Sequence, residues 1–473
     1  MRNLANLKNA KTCLILPVEN QVRELDPKLL LACIAARRGF PVIVGSHRKI
    51  DLRISSLPRG LYLNKSMTDR NLKMFQIMRY LGHEIVTWDE EALVHLPPDI
   101  YYSRRLSPVA IQYVSHLFAW GEDNAELWRQ YPDLPEGMPI HVTGNPRSDM
   151  LRPELRSFYE PEADALRQKH GKFILVNTNF NHVNAFYPAQ NLFRPEKGDG
   201  EKPQFGKAAI GMSREYAEGL RDHKLNILRA FKELIPVLDQ EFPDHTIIVR
   251  PHPTENYQVY KDIADQCQRV KVTNEGNVVP WIMATEVVIH NGCTTGVEAY
   301  MMGVPAISYR ASINETYDLG FYRLPNLISH QCFDFNELKA TLVKILKGEL
   351  GAADGDEHRS LAPKYLTARE GPLACDRIID EIEDMVKARP ELPKPELNLR
   401  VRGWTLANWR RFNRYIRKYL PGKHAPEEFH RHRYPGISLQ ELNTRISKLQ
   451  QVIGDSTQLK TDQISDQIFL MSP

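Results

Sequence analysis

The sequence predicts an α/β protein made of two doubly wound domains facing a cleft, with a helical extension after them. Three observations carry that reading. Short β-branched runs, apolar on both faces, alternate with helical patterns through the first 150 residues, which implies parallel strands covered on each side. The alternation restarts at residue 173 and runs to 309. From Pro390 it gives way to a proline-rich linker, within ARPELPKPELN, and then to residues of helical character.

In the first block the strands are TCLILPV (12–18), PVIVGS (41–46), GLYLNKS (60–66), HEIVTWD (83–89), HLFAWG (116–121) and IHVTGNP (140–146), and DPKLLLACIAARRG (26–39) is the first helix. In the second they are FILVNT (173–178), HTIIVRPHP (245–253), RVKVT (269–273), EVVIHNG (286–292) and VPAISY (304–309), with a long helix from about Ser213 to Glu241. Two Rossmann-like units of similar size leave a cleft, and ligands of such sheets bind outside the carboxyl ends of the strands. The expected domains are residues 1–160, residues 161–389 and, for linker and basic tail, residues 390–473. Residues 179–212 break the rhythm, and loops of this length act as lids, binding loops or passive insertions.

Composition narrows the class. A chain of 473 residues exceeds one ordinary core, and 42% hydrophobic with 25% charged residues describes a globular protein rather than a membrane-embedded one. The opening MRNLANLKNAKTCLILPVEN has neither the apolar length of a membrane span nor the cleavage pattern of a signal peptide. Six cysteines (Cys13, Cys33, Cys267, Cys293, Cys332, Cys375) include no CxxC pair, so they suggest neither zinc nor a disulfide framework and fit a reducing cytoplasm. The net charge is only +4, yet ten Lys/Arg against two Glu fall between Arg400 and Arg433. No solenoid repeat and no nucleic-acid recognition module is recognisable.

The chemistry concentrates at two strand ends. In VIHNGCTTGVEAYMMGVPAISY (288–309) a buried strand stops at His290-Asn291-Gly292, and a helical pattern resumes only after Cys293-Thr294-Thr295-Gly296. Such a turn is a phosphate cradle: the first N–H groups of a helix carry partial positive charge, glycine admits a ligand to the backbone, and threonines add donors. The same residues also suit a ligand-free turn with a threonine N-cap. In IIVRPHPTENY (247–257), Pro251 and Pro253 end a strand and hold His252 in a fixed loop. Arg250 and His252 at one carboxyl end, beside the Gly292–Gly296 turn at another, make an anion site. Asn177, Thr178 and Asn179, at the end of FILV, line its floor.

With these residues the chain resembles the GT-B glycosyltransferases, specifically bacterial surface-carbohydrate biosynthesis proteins related to the HP-motif CMP-Kdo and CMP-sialic acid transferases. The likeness is carried by LPVENQVRELDPKLLLACIAARRG (16–39), GLYLNKS, WDEEAL (88–93), VTGNPRSDML (142–151), ILVNTNF (174–180), RPHPTENY and HNGCTTGVEAYMMGVP, over about three quarters of the chain. It implies a nucleotide-sugar site in the second domain. His252 with Pro253 would bind the CMP phosphate, the turn of Asn291, Gly292, Thr294, Thr295 and Gly296 would hold its oxygens, and Glu298 would contact ribose. The first domain would hold the acceptor.

Glycosyl transfer also needs a base for the acceptor hydroxyl and a stabilised leaving phosphate. Asp89-Glu90-Glu91 follows the strand HEIVTW and resembles the acidic Asp/Glu-Asp/Glu-Gly motif of the HP-type transferases, with Ala92 in place of its glycine. Glu90 is the expected base. Arg23 and Glu24 of QVRELD are expected in the first strand-to-helix loop, lining the cleft, with Asp26 as an N-cap before Pro27. Asp222 is a candidate nucleophile for a retaining reaction, or else part of a solvated helix face. Asp354-Gly355-Asp356 matches a metal-binding DxD pattern but reads as a solvated loop, and GNPRSD (144–149) reads as a hinge. Neither a metal nor another cofactor is called for, since one phosphate can be held by protein donors.

In the tail, TLANWRRFNRYIRKYL (405–420) places Leu406, Trp409, Phe412 and Ile416 at helical spacing, with Arg410, Arg411, Arg414, Arg417 and Lys418 on other faces. Such a helix either lies on an anionic membrane surface or packs on the core with a solvated basic side. The expected protein is a cytoplasmic, peripherally membrane-associated transferase. It would move an acidic sugar, Kdo foremost, from a CMP donor to a capsule, lipopolysaccharide or lipid-linked glycan acceptor. The alternatives are a UDP-sugar transferase or non-hydrolysing epimerase of the same fold, and a non-catalytic scaffold of a polysaccharide assembly complex.

Overall fold

The computed structural model describes residues 12–195, 203–318, 323–353, 355–416, 430, 431 and 433–472. They form two compact units, one of Met1–Ala92, Arg105–Phe158 and Pro363–Pro473, the other of Leu93–Arg104 and Tyr159–Ala362. The chain is α/β and carries two Rossmann-like parallel sheets, as the alternation of its sequence requires.

In the first unit β1 (Cys13–Val18), β2 (Val42–Ser46), β3 (Gly60–Asn64), β4 (Glu84–Thr87), β5 (His116–Ala119) and β6 (Ile140–Val142) run parallel in the order β2-β1-β3-β4-β5-β6. The chain steps from β1 to one side and returns on the other, so winding reverses at β1, where such sheets open a crevice. The helix Gln21–Arg37 is buried nearly all round, from Glu24 through Ala36 without a gap. A helix of that kind must be covered on every side; Ala374–Ala388 and Leu439–Val452 pack on it.

The second unit holds β7 (Phe173–Thr178), β8 (Thr246–Pro251), β9 (Val270–Val272), β10 (Val287–His290), β11 (Ala306–Tyr309) and β12 (His330–Cys332), in the order β12-β11-β10-β7-β8-β9. Winding reverses at β7, between the two strands whose ends carry the motifs. The long helix is Arg214–Glu241, started by Ser213, whose hydroxyl accepts the Tyr216 N–H at 3.1 Å. One side of the sheet packs Ile174, Val176, Ile247 and Val249 against Phe231, Leu234 and Leu238 of that helix. Within the 179–212 segment, Leu192, Phe193, Ala208, Ala209 and Met212 form a small core with Leu96, Ala217 and Leu220, and Arg214 and Arg221 lie over the Phe193 ring. These residues of the insertion are thus packed on the unit, while Phe186, Phe205 and Ile210 remain exposed.

The end of the chain departs from expectation. The helices expected beyond the linker include Leu397–Ile416 and Leu439–Val452, but after them Lys460–Ser465 (β13) and Ile468–Ser472 (β14) form a hairpin, where helix was expected throughout. β14 pairs antiparallel with β2, Phe469 opposite Val44 and Leu470 opposite Ile43. Without it β2 would present an unpaired edge, and no local periodicity in so short a run announces a partner more than 400 residues away. Residues 417–429, with Arg417 and Lys418 of the basic tail, lie outside the described residues, as does Asp354.

The compact units also differ from the contiguous blocks expected at 161–389 and 390–473, because residues 363–389 pack in the first unit. GNPRSD, read as a hinge, supplies the reason. Asp149 is buried, and its two carboxylate oxygens accept the N–H groups of Ala374 and Cys375 at 2.8 Å each, capping the helix Ala374–Ala388. Arg152 adds donors to the carbonyls of Ala368 (3.0 Å) and Gly371 (2.8 Å). Removing the cap leaves two helix-start N–H groups without acceptors in a buried place. Asp149→Ala should therefore lower the unfolding free energy by about 1–3 kcal/mol, read as a lower urea midpoint; an unchanged midpoint would show that the segment 363–389 is held by other means.

Candidate nucleotide site and the carboxylate cluster

The second unit's site is organised by the exit of β7, which lies between β8 and β10. Lateral strand spacing of about 4.8 Å puts the ends of β8 and β10 about 10 Å apart, so the His252 loop and the Gly292 turn flank β7 rather than touch. Each is tied to it. The His252 N–H donates to the Thr178 carbonyl at 3.0 Å. The Asn291 side chain accepts the Asn179 N–H at 2.9 Å and donates to the Asn179 carbonyl at 3.3 Å. Three residues, Asn177, Thr178 and Asn179, thus form a floor with one motif on either side.

The His252 loop is fixed by a residue that sequence reasoning passed over. Glu255 is buried; its carboxylate accepts from the Tyr260 hydroxyl (2.7 Å), the Thr178 hydroxyl (3.0 Å) and the His252 N–H (3.0 Å). Burial pushes the Glu255 carboxyl up, opposed by these donors. The ring of His252 is set by Thr254, whose N–H donates to Nδ1 at 3.3 Å and whose hydroxyl lies 2.9 Å from it. With Nδ1 accepting, the ring proton resides on Nε2, a donor suited to an anion. Pro253 is exposed at the turn.

The Gly292 turn is built as a helix start. Gly292 has φ of 82°, a left-handed conformation that glycine adopts without strain. The helix Thr294–Met302 begins at Thr294, and the N-cap is Cys293, extended at φ −103° and ψ 168°, in place of the threonine cap considered from sequence. The Cys293 thiol meets the Thr295 hydroxyl. Gly296 has a different role from the expected one of admitting a ligand: a Cβ there would sit 2.4 Å from Nε2 of His290, so its bareness accommodates that buried ring. Burial pushes the His290 imidazole down to about 3, and the neutral ring accepts the Gly292 N–H at 3.0 Å. Glu298 is buried, one turn into the helix.

Three residues are placed away from their expected roles. Arg250 donates to the carbonyls of Glu275 (2.7 Å) and Gly276 (3.2 Å) and lies over the Trp281 ring, so its guanidinium braces the loop after β9 rather than a phosphate. Burial lowers it to about 10. The two ends of the Asn291 amide are engaged by the Asn179 backbone, so this side chain positions the turn. Asp222 is 60% exposed and paired with Arg221 at 2.7 Å, on the solvated face of its helix, where a nucleophile has no enclosed substrate to attack. Asn177 is the opposite case. It is 3% exposed, and both polar atoms of its amide lack a hydrogen-bond partner among the described residues. A buried amide in that state is costly unless something else completes it.

In the first unit the carboxyl ends of β1, β3, β4 and β6 carry interleaved charges. Arg23 and Glu24 lie in the opening turns of the helix Gln21–Arg37, not in the expected loop, and Pro27 is inside it. Asn20 is the N-cap, because Glu24 turns back to accept the N–H groups of Glu19 (2.9 Å) and Asn20 (3.3 Å). Asp26 correspondingly pairs with Arg445 at 2.8 Å instead of capping. Glu24 also binds Lys65 (2.6 Å) and Lys28 (3.0 Å). Burial pushes its carboxyl up, and the two ammonium groups bring it well below the usual range.

The three acidic residues after β4 separate by environment. Asp89 is fully buried; Arg105 grips both of its oxygens, and one also accepts the Glu91 N–H at 3.1 Å. Glu90 is buried and accepts from Trp88 Nε1 at 2.8 Å and Arg147 at 3.4 Å. Arg147, from GNPRSD, lies over the Trp120 ring and was missed because its motif looked like a bare turn. Glu91 reaches solvent. The atoms crowded round it push its carboxyl up, and the charges of Arg23, Arg105, Lys65 and Arg147 outweigh them and bring it down to about 2.

One further titratable group is buried in the second unit. Lys224, on the helix Arg214–Glu241, is 2% exposed. Burial lowers its ammonium to about 7, with Glu255 opposing and Arg104 reinforcing. Below pH 7 the proton is bound in both folded and unfolded states and the full cost of burying the charge stands. Between pH 7 and roughly 10.4, the unfolded value, only the unfolded chain holds it, so this group makes stability rise with pH. Lys224→Met should accordingly raise the melting temperature most below pH 7, the gap to the parent closing toward pH 10. A variant melting lower at pH 6 would show that the ammonium stabilises the fold.

No family model matches the chain, and no curated protein matches it. Among solved structures it is similar to the wall teichoic acid polymerase TagF, at 12% identity and a TM-score of 0.49 over 80% of this chain and 89% of that one. It is similar also to the UDP-GlcNAc 2-epimerase of Neisseria meningitidis, at 14% identity and a TM-score of 0.44 over 79% of this chain and 99% of that one. The same enzyme of Methanocaldococcus jannaschii is 13% identical, with a TM-score of 0.41 over 79% and 99%.

Proposed function

We propose that the protein is a GT-B-type glycosyltransferase of surface-carbohydrate synthesis, with the nucleotide-sugar donor held by the second unit and the acceptor by the first. The observation that carries this reading is the β7 exit: two motif loops are hydrogen-bonded to its consecutive residues, and the buried Asn177 amide among them awaits a partner. His252 Nε2 and the N–H groups at the start of the helix Thr294–Met302 are donors for a phosphate as it departs, where preorganised dipoles act most strongly. A CMP-activated acidic sugar, Kdo foremost, is the donor favoured by the sequence resemblance; a UDP-sugar is the alternative.

Glu90 is the proposed base. Asp89 is committed to Arg105, and Glu91, near 2, is too weak a base to take a hydroxyl proton at neutral pH. Glu90→Gln should lower kcat by about 10²–10⁴-fold with nucleotide affinity kept, in an assay of sugar transfer or donor hydrolysis. Turnover equal to the parent would remove Glu90 from the reaction, and an intact cellular glycan with both Glu90→Gln and His252→Ala would favour a scaffold.

We further propose that the helix Leu397–Ile416 docks the enzyme on an anionic lipid surface, where lipid-linked acceptors reside. Among the described residues no helix is long and apolar enough to cross a membrane. This one packs through its small residues: Gly403 and Ala407 are buried, and a Cβ on Gly403 would meet Tyr80 Cβ at 2.8 Å. Its aromatic side therefore faces outward, with Trp404 and Trp409 each 57% exposed beside Val401, Phe412 and Tyr415. Arg400, Arg402 and Arg411 are exposed along it, and this basic, aromatic-rich face complements an anionic interface. Deleting residues 400–473 would also strip the hairpin from β2, so substitution is the cleaner test. Replacing Trp404, Trp409 and Phe412 by Ser should weaken binding to phosphatidylglycerol vesicles more than tenfold, since each buried aromatic contributes about 1.5–3 kcal/mol. Unchanged vesicle binding would sink the membrane proposal.

A further inference from the structure

The insertion after β7 and the loop after β8 are joined by a short antiparallel ribbon within the second unit. Ala185 and Glu255 face each other as a bridge. The Phe186 N–H donates to the Thr254 carbonyl at 2.8 Å, and the Asn256 N–H donates to the Asn184 carbonyl at 2.8 Å. The Asn184 side chain adds a donor to the Asn256 carbonyl at 3.2 Å. In such a pair, residues directly opposite one another put their side chains on one face, and successive residues alternate between faces. Ala185 and Glu255, 5% and 1% exposed, take the inner face. Phe186 and Thr254 therefore share the outer one, with their Cβ atoms about 5 Å apart.

Thr254 is the residue whose hydroxyl lies 2.9 Å from Nδ1 of His252. The ribbon thus sets the Phe186 side chain on the same face as the histidine ring, with Thr254 as the spacer between them. It stays there uncovered: Phe186 is 61% exposed and meets the Tyr187 ring edge-on, the centroids 5.0 Å apart at 89°. The same insertion buries Leu192 and Phe193 in its small core, so the segment has a place for apolar side chains that Phe186 does not use. Lone exposed apolar side chains are ordinary. One that backbone hydrogen bonds fix beside a candidate phosphate-binding loop offers its face to whatever the phosphate carries.

We propose that Phe186 is a platform for the sugar of the nucleotide-sugar donor, receiving the apolar C–H face of the sugar ring while His252 and the start of the helix Thr294–Met302 hold the phosphate. The inference rests on the nucleotide-donor reading given above and deepens it by naming the group on the β8 side. The phosphate linkage of such a donor carries two substituents, ribose and the sugar. The sequence resemblance puts ribose at Glu298, in the helix that follows β10, so the other substituent leaves toward β8 and the ribbon. Carbon-bound hydrogens suit an aromatic ring there, because the face of the ring is the negative end of its quadrupole.

The test is calorimetric titration of the full chain and its Phe186 variants with two pairs of ligands, CMP against CMP-sialic acid and UDP against UDP-GlcNAc. In the pair that the parent binds, Phe186→Ala should weaken the sugar-bearing ligand about fivefold, within the range of one aromatic contact. The bare nucleotide should stay within about twofold, the scale of a neutral surface substitution, and Phe186→Tyr, which keeps the ring, should retain the parent's values. A bare nucleotide weakened to the same degree would show that the ring stacks on the base or props the His252 loop, and overturns the assignment to the sugar. Unchanged affinity for the sugar-bearing ligand in Phe186→Ala overturns it as well, as does a Phe186→Tyr chain no better than Phe186→Ala. In each of these cases the nucleotide reading stands. If the parent binds no member of either pair, that reading falls and the platform falls with it.

Discussion

The arrangement of the second unit depends on the backbone at the end of one central strand. Parallel strands leave their last N–H and C=O groups without further ladder partners, and something must take them up. At β7 the partners are the two motif loops: the Thr178 carbonyl accepts from His252, and the Asn179 amide is bridged by the Asn291 side chain. The same hydrogen bonds that terminate the sheet therefore set the spacing of the His252 loop and the Gly292 turn. Neither loop can shift without exposing buried backbone polar groups at the centre of the sheet, which holds both in place. Preorganisation of this kind is what gives fixed dipoles their value in stabilising developing charge.

Much of the fold could be read from the sequence because its strands are buried on both faces and its helices are long. FILVNT coincides with β7, HTIIVRPHP and EVVIHNG contain β8 and β10, and the start at Ser213 is written in its capping hydroxyl. What could not be read is what depends on distant partners. The hairpin β13–β14 exists because β2 needs an edge partner, and Asp149 is a helix cap for residues that follow it by more than 200 positions. GNPRSD and QIFLMS carry no local signal of either role.

The candidate site shows the same division. His252, the Gly292 turn and the β7 exit were recognisable because glycine, proline and hydroxyl residues clustered at strand ends. Their individual roles were less so. Arg250 has the right charge at the right strand end, yet strand alternation gives it the face of Trp281, where carbonyls of Glu275 and Gly276 occupy it. Glu255 and Arg147 escape a sequence reading for the converse reason: each lies inside a motif with more conspicuous neighbours, and only the hydrogen bonds show that Glu255 fixes His252 and that Arg147 meets Glu90.

Lys224 marks where reading by pattern fails for a physical reason. Amphipathic periodicity assigns position 224 to the core, and a lysine there counts only as an imperfection of the stripe. Its surroundings are set by burial and by distant segments: at 2% exposure the ammonium is lowered to about 7, with Glu255 and Asp318 opposing and Arg104 reinforcing, and no periodicity along the helix announces any of them.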